Sequence, residues 1–187
     1  MTRGRLEAFS DGVIAIIITI MVLDLKAPPH SDLIALQPLI PVFFSYLLSF
    51  VYVGIYWNNH HHLFQTVQSV NGRILWANLH LLFWLSLIPF VTGWAGGNNF
   101  APWPVAMYGL VLLMAGFAFM VLVRTLISHH GPQSLVATVQ QNIKTNLSLA
   151  LYAAAIPLAF LNAGISCAIY VGVALLWLKP DPRVEDL

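Results

Sequence analysis

The residues of this chain that could do chemistry are few, and the most conspicuous stand in an apolar sequence. Asp11 and Asp24 bracket the run GVIAIIITIMVL within residues 5–26, RLEAFSDGVIAIIITIMVLDLK, and lie thirteen positions apart. On a helix rising about 1.5 Å per residue that separation covers roughly 20 Å, against a hydrocarbon core about 30 Å thick. At least one carboxylate therefore sits at membrane depth. A charge there is costly unless it faces protein or water, so its default reading is a functional site. The alternative makes Ser10 or Asp11 an N-cap, with the span beginning at Gly12 and Asp11 at the interface.

Histidines are the second source of chemistry. His60, His61 and His62 form one cluster and His129 with His130 another. Adjacent histidines on a helix point about 100° apart, and no carboxylate or cysteine stands near either cluster, unlike the spaced ligands of metal enzymes. No metal site is expected; pH sensitivity is the simpler use of groups that titrate near neutrality. No Ser/His/Asp order, phosphate-binding glycine loop or carboxylate pair points to catalysis, and no cofactor is implied.

The elements that must position these groups follow from composition. The 187 residues are 59% hydrophobic and 8% charged, with a mean hydropathy of +0.79, which describes a polytopic protein whose partner is the lipid bilayer. A net charge of +1 spread over eight basic residues excludes a nucleic-acid surface. The single cysteine, Cys167, excludes an internal disulfide and a cysteine-based zinc site. Arg3 and Arg5 precede the first apolar run without a small-residue cleavage pattern, so the first helix is expected to be retained.

Hydropathy and breakers predict six transmembrane helices, at about 6–25, 37–58, 74–94, 104–125, 147–161 and 165–178, in one domain over residues 1–187. The first stops at Pro28-Pro29, the second opens at Pro38 and Pro41, and Pro157 is read as a kink in the fifth. Tyr52, Tyr56 and Trp57 are read as an interfacial belt, and the stretch from Asn58 to Arg73 as a polar connection, like 128–141. With the N-terminus inside, Arg3, Arg5, Arg73, Arg124, Lys144, Lys179 and Arg183 all fall on the cytoplasmic side and only Lys26 falls outside, so both termini are expected in the cytoplasm.

On the first helix Ile16, Ile20 and Leu23 lie within about 60° of one another and Thr19 borders them. The stripe could face lipid or pack on a neighbour, or it could form successive rings of a symmetric pore that gates by excluding water. In a fourfold arrangement Asp24 would ring the extracellular mouth and concentrate cations. Asp11, about 140° from Ile16, would face neighbouring helices as structural glue. Its candidate partners are on the third helix, where Trp76, His80 and Trp84 share a face. No TVGYG-type carbonyl filter is present.

Arg5-Leu6-Glu7-Ala8-Phe9-Ser10-Asp11 matches an RxxxFSD signature, and with six helices the chain resembles the transmembrane protein 175 family of potassium channels. Animal members carry two six-helix repeats and work as dimers. One repeat here implies a prokaryotic member assembled as a homotetramer in a bacterial plasma membrane. The resemblance implies that four first helices line a pore. Ile16, Ile20 and Leu23 would form the constriction, Ile16 being narrowest, with Thr19 at a selectivity position. Arg5, Phe9, Ser10 and Asp11 would form an interhelical network, to which His80 is added here. The implied activity is a potassium-selective leak that also passes larger alkali ions. A proton channel of the same family and a histidine-dependent membrane enzyme or metal-handling protein are the alternatives.

Overall fold

The computed structural model describes residues 2–131 and 142–178, and all regular structure in them is helical. Helix α1 runs Arg3–Val22, a 3-10 turn covers Leu33–Leu39, and α2 runs Ile40–Gln65. A broken rod follows, α3 at Gly72–Ser86 and α4 at Ile88–Gly97. Helix α5 is Pro102–His130, α6 Asn142–Leu158 and α7 Ala163–Leu178. Counting α3 and α4 as one, there are six rods among the described residues. Three stretches are long and apolar enough to cross a membrane, Leu33–Gln65, Gly72–Gly97 and Pro102–His130, while Ile143–Leu158 and Ala163–Leu178 are shorter apolar helices. Lys179, Arg183 and most of the expected 128–141 connection lie outside the described residues.

The differences from the sequence expectation have local causes. Asn58 to Gln65 is helical and continues α2 by two turns, because His60, Leu63 and Phe64 share its buried face. Polar composition there marks a helix end with an internal partner. The third rod breaks at Leu87: Pro89 has no amide to give the carbonyl of Leu85, and the Leu87 amide closes a tighter turn on Trp84 (3.2 Å). Likewise α5 runs on through His130. Pro157 lies in the last turn of α6, so it marks the end of that helix instead of kinking it, and Asn162 then caps the entry to α7 by accepting from the Gly164 amide (2.9 Å).

Helix α5 is the hub, packed on α3, α4, α6 and α7, whereas α1 packs on α2, α3 and α4. In lipid the hydrophobic effect does not drive helices together, so close backbone approach and interhelical hydrogen bonds must do so. Gly96 supplies the first: a Cβ there would strike Ser45 Oγ and lie 2.7 Å from Val42 Cα, so only glycine lets α4 cross α2 this closely. Hydroxyl groups supply the second. Ser49 Oγ bonds Thr92 Oγ1 (2.6 Å) and the Tyr108 hydroxyl (2.8 Å), joining α2, α4 and α5. The Tyr52 hydroxyl donates to the Tyr170 carbonyl (2.6 Å) and accepts from Tyr152 (3.2 Å). Tyr52 is therefore buried structure, not part of an interfacial belt.

Candidate functional site

Helix α1 has two unlike faces. Leu6, Ser10, Ile14, Ile17 and Met21 recur at helical spacing and are buried against α2, α3 and α4, with Ile14 1%, Ile17 3% and Met21 0% exposed. On the other side Ile16 is 58% exposed, Ile20 46% and Leu23 73%, with Thr19 exposed beside them. Branched aliphatics left exposed along one side of a helix that is buried on the other fit contact with lipid or with a further helix.

The buried face is anchored by polar groups. Ser10 Oγ donates to the Leu6 carbonyl (2.9 Å) and accepts from Asn78 Nδ2 of α3 (2.9 Å). With its amide nitrogen so used, Asn78 turns Oδ1 to His60 of α2, and Oδ1 accepts from Nε2 at 2.8 Å. This fixes the His60 tautomer, because an amide oxygen can only accept. The remaining ring nitrogen, Nδ1, is then an acceptor; it is buried without a partner, and the ring is stacked on Phe64 at 4.5 Å. The chain Ser10, Asn78, His60 thus ties three helices through side chains that are all fully buried.

A second, more exposed layer joins α1 to α2. Trp57 Nε1 donates to Asp11 Oδ1 (3.0 Å), and the indole stacks on His61 at 5.8 Å and 14°. His61 Nδ1 donates to Glu7 Oε1 (3.1 Å) while its Nε2 accepts from the Gln65 amide (2.9 Å). Arg3 reaches Glu7 (3.7 Å) and the carbonyls of Gln65 and Val67. Asp11 therefore finds its partner on the second helix, not the third as expected from Trp76, His80 and Trp84. His80 stands outside this network. Its Nε2 accepts from Trp84 Nε1 (3.0 Å), and it lines a cleft between α3 and α5.

The signature itself divides between the faces. Ser10 and Asp11 turn inward, but Arg5 and Phe9 are exposed, and each lies within about 20° of Ile16 around the helix. They extend the open stripe toward the N-terminus instead of sharing the anchor. At the other end Thr19 Oγ1 donates to the Ile16 carbonyl (2.9 Å), which spends its proton and leaves oxygen lone pairs directed outward. Asp24 lies past the end of α1. Its carboxylate rests over Gly93 of α4, where an added Cβ would be 2.7 Å from Oδ2, so it leans on α4 beside the stripe.

His129 and His130 of the second histidine cluster also make structural contacts. Asn71 Nδ2 donates to His129 Nδ1 (3.1 Å) and His129 Nε2 to Ser69 Oγ (3.1 Å), so the end of α5 is pinned to the turn before α3. His130 Nδ1 donates to the Leu126 carbonyl (3.0 Å). Among the described residues no three His, Cys, Asp or Glu side chains converge as metal ligands would. Asn78 and Trp57 are the anchor residues that sequence reading passes over. The available signal for Asn78 is a lone amide inside ILWANLHLLFWLS, where an unpaired polar group would be costly.

Residues 5–89, spanning α1 to the break before α4, match the family model described as endosomal/lysosomal potassium channel TMEM175. A potassium channel of Chryseobacterium sp. (strain P1-3) is 54% identical over 186 residues, 99% of this chain and 97% of that relative. The chain belongs to the TMEM175 family. The fold agrees: the crystal structure of a lysosomal potassium-selective channel TMEM175 homolog from Chamaesiphon minutus superposes with a TM-score of 0.82 at 27% identity, covering 94% of this chain and 96% of that one. The endosomal/lysosomal proton channel TMEM175 of Danio rerio is 40% identical over 101 residues, 48% of this chain but 19% of that protein. As a TMEM175 member the chain is a multi-pass membrane protein, and the relatives that define the family are named as channels rather than enzymes. The segment shared with the family model contains Ser10, His60 and Asn78 and all of the open stripe.

Proposed function

We propose that residues 1–187 form one six-helix channel domain, that four copies assemble around their α1 helices, and that the assembly passes potassium down its gradient. The observation that carries this reading is the open stripe of Ile16, Ile20 and Leu23 on a helix whose opposite face is fully engaged. Relatives named potassium channels support the ion. Ile16 forms the narrowest ring, followed outward by Ile20 and Leu23.

The aliphatic rings themselves have no oxygens to replace a hydration shell. Ions pass by shedding part of their water, which larger alkali ions do more easily, so selectivity is modest and the larger ions permeate well; a dewetted ring of Ile16 closes the path. Thr19, whose hydroxyl proton is already committed to Ile16, offers a permeating cation only lone pairs. Asp24 raises cation concentration near the outer mouth through its field, from a perch beside the pore axis.

Arg3, Arg5 and Arg73 precede or open helices at one end of the bundle and Arg124 lies near the same end of α5, whereas Lys26 follows α1 at the other. This asymmetry supports cytoplasmic termini in a bacterial plasma membrane. Proton conduction through the same stripe is the second reading, favoured by the likeness to an animal relative named a proton channel. His60 and His61 are occupied in the anchor, which removes the support for a histidine-dependent metal function. Flux in proteoliposomes separates the readings: potassium conduction persists without a pH gradient, and proton conduction persists without potassium.

A further inference from the structure

Between the start of α3 and the end of α5 lies an open cleft of about 720 Å³. Arg73 and Trp76 border it from α3, Arg124 and Ser128 from α5, and His80 lies further in. Both arginines are exposed, and neither has a carboxylate partner among the described residues. The residues lining the cleft include no acid. That is unlike the other face of the same bundle end, where Arg3 is matched by Glu7.

The cleft offers further donors. Because His80 Nε2 accepts from Trp84, the neutral ring must carry its proton on Nδ1, which has no other partner among the described residues. Deeper in the membrane the same two helix faces turn apolar, with Trp84 one turn beyond His80 on α3 and exposed Phe117 one turn before Val121 on α5. Trp76 is 75% exposed at the level of the charges, the place where an indole anchors at a membrane interface. Unpaired guanidinium groups at the headgroup level, above an apolar track, match one ligand chemistry: a phosphodiester carrying acyl chains.

We propose that this cleft binds the phosphate group of an anionic phospholipid, held by Arg73 and Arg124, with its acyl chains along Trp84 and Phe117. The site is independent of which ion crosses the pore. It has a route to α1 nonetheless, since α3 presents Asn78 to Ser10 on one side and His80 to the cleft on the other. A bound lipid would brace α3 against α5 and so steady the anchor of the pore helix.

The test uses the full chain in nanodiscs of phosphatidylcholine alone or mixed with phosphatidylglycerol, with bound lipid counted by native mass spectrometry and melting temperature recorded. Wild type retains phosphatidylglycerol in preference to phosphatidylcholine and melts higher in the mixture. R73Q/R124Q loses roughly thirtyfold of that preference, near what two interfacial cations supply, and melts as wild type does in phosphatidylcholine alone. K144Q, a charge removed outside the cleft, keeps it. If R73Q/R124Q fails to fold, the single variants R73Q and R124Q are read in the same way. An unchanged preference in the arginine variants, or an equal loss in K144Q, overturns the proposal. So does inorganic phosphate stabilising wild type in phosphatidylcholine as well as phosphatidylglycerol does, which would make the cleft a site for free phosphate.

Discussion

The two faces of α1 differ less in hydrophobicity than in how completely they are answered. Along Leu6, Ser10, Ile14, Ile17 and Met21 the neighbours α2, α3 and α4 leave no room, and Ser10 closes a chain of hydrogen bonds across three helices. Along Arg5, Phe9, Ile16, Ile20 and Leu23 the side chains stay exposed. In the proposed channel, a helix that presents bare aliphatics to an ion path cannot also be held from that side, so its position is set from behind. Polar groups suit that task in lipid, where apolar contact alone does not specify register.

The comparison breaks most visibly at Asn78. Replacing it by Leu leaves Ser10 and His60 without their shared partner, at a cost of about 1–3 kcal/mol once the modest strength of hydrogen bonds in membranes is allowed for. Asn78→Leu should lower the melting temperature and the yield of assembled protein more than any change on the open face. An unaltered melting curve would mean the buried chain does not position α1.

Trp57→Phe keeps the ring over His61 but removes the donor to Asp11, and should cost about 1 kcal/mol, read as a smaller fall in melting temperature. Asp11→Ala, which removes the acceptor, should match it; intact stability and assembly in both would strip Asp11 of a structural role. Glu7→Gln sits lower again. Its partners Arg3 and His61 are more than a third exposed, so the loss is a few tenths of a kcal/mol and fades with added salt.

On the open side, Asp24→Asn should leave melting unchanged and lower potassium flux only at low ionic strength. The screening length falls from about 30 Å at 0.01 M salt to about 3 Å at 1 M, so flux measured at the higher concentration should be the same in both proteins. A loss that persists at high salt would mean that Asp24 contacts the ion directly instead of acting through its field.

How much of this was legible follows the same division. The stripe of Ile16, Ile20 and Leu23 could be read from spacing, because helical periodicity is a property of one segment. The anchor could not, because it is a property of three. Nothing in NNHHHLFQ says that His60 will meet Asn78, and polar composition alone suggests a loop where α2 continues. Helical angle points Asp11 toward neighbouring helices, yet α2 and α3 both lie within reach and only their packing selects Trp57 over His80. Arg5 and Phe9 carry the opposite lesson. Their position on the Ile16 side follows from helical angle alone, although membership of one short signature suggests that they act with Ser10 and Asp11. The break at Leu87 is marked by Pro89, but the apolar sequence runs through it without any other sign.

The central claim is that the open face of α1 is the ion path. Alkali-ion flux through proteoliposomes containing wild type or Ile16→Asn tests it most directly. The account predicts that Ile16→Asn, with melting temperature and assembly preserved, raises potassium flux and narrows the preference for potassium over sodium, because a polar side chain replaces the dewetting ring. Flux and ion preference identical to wild type would contradict it.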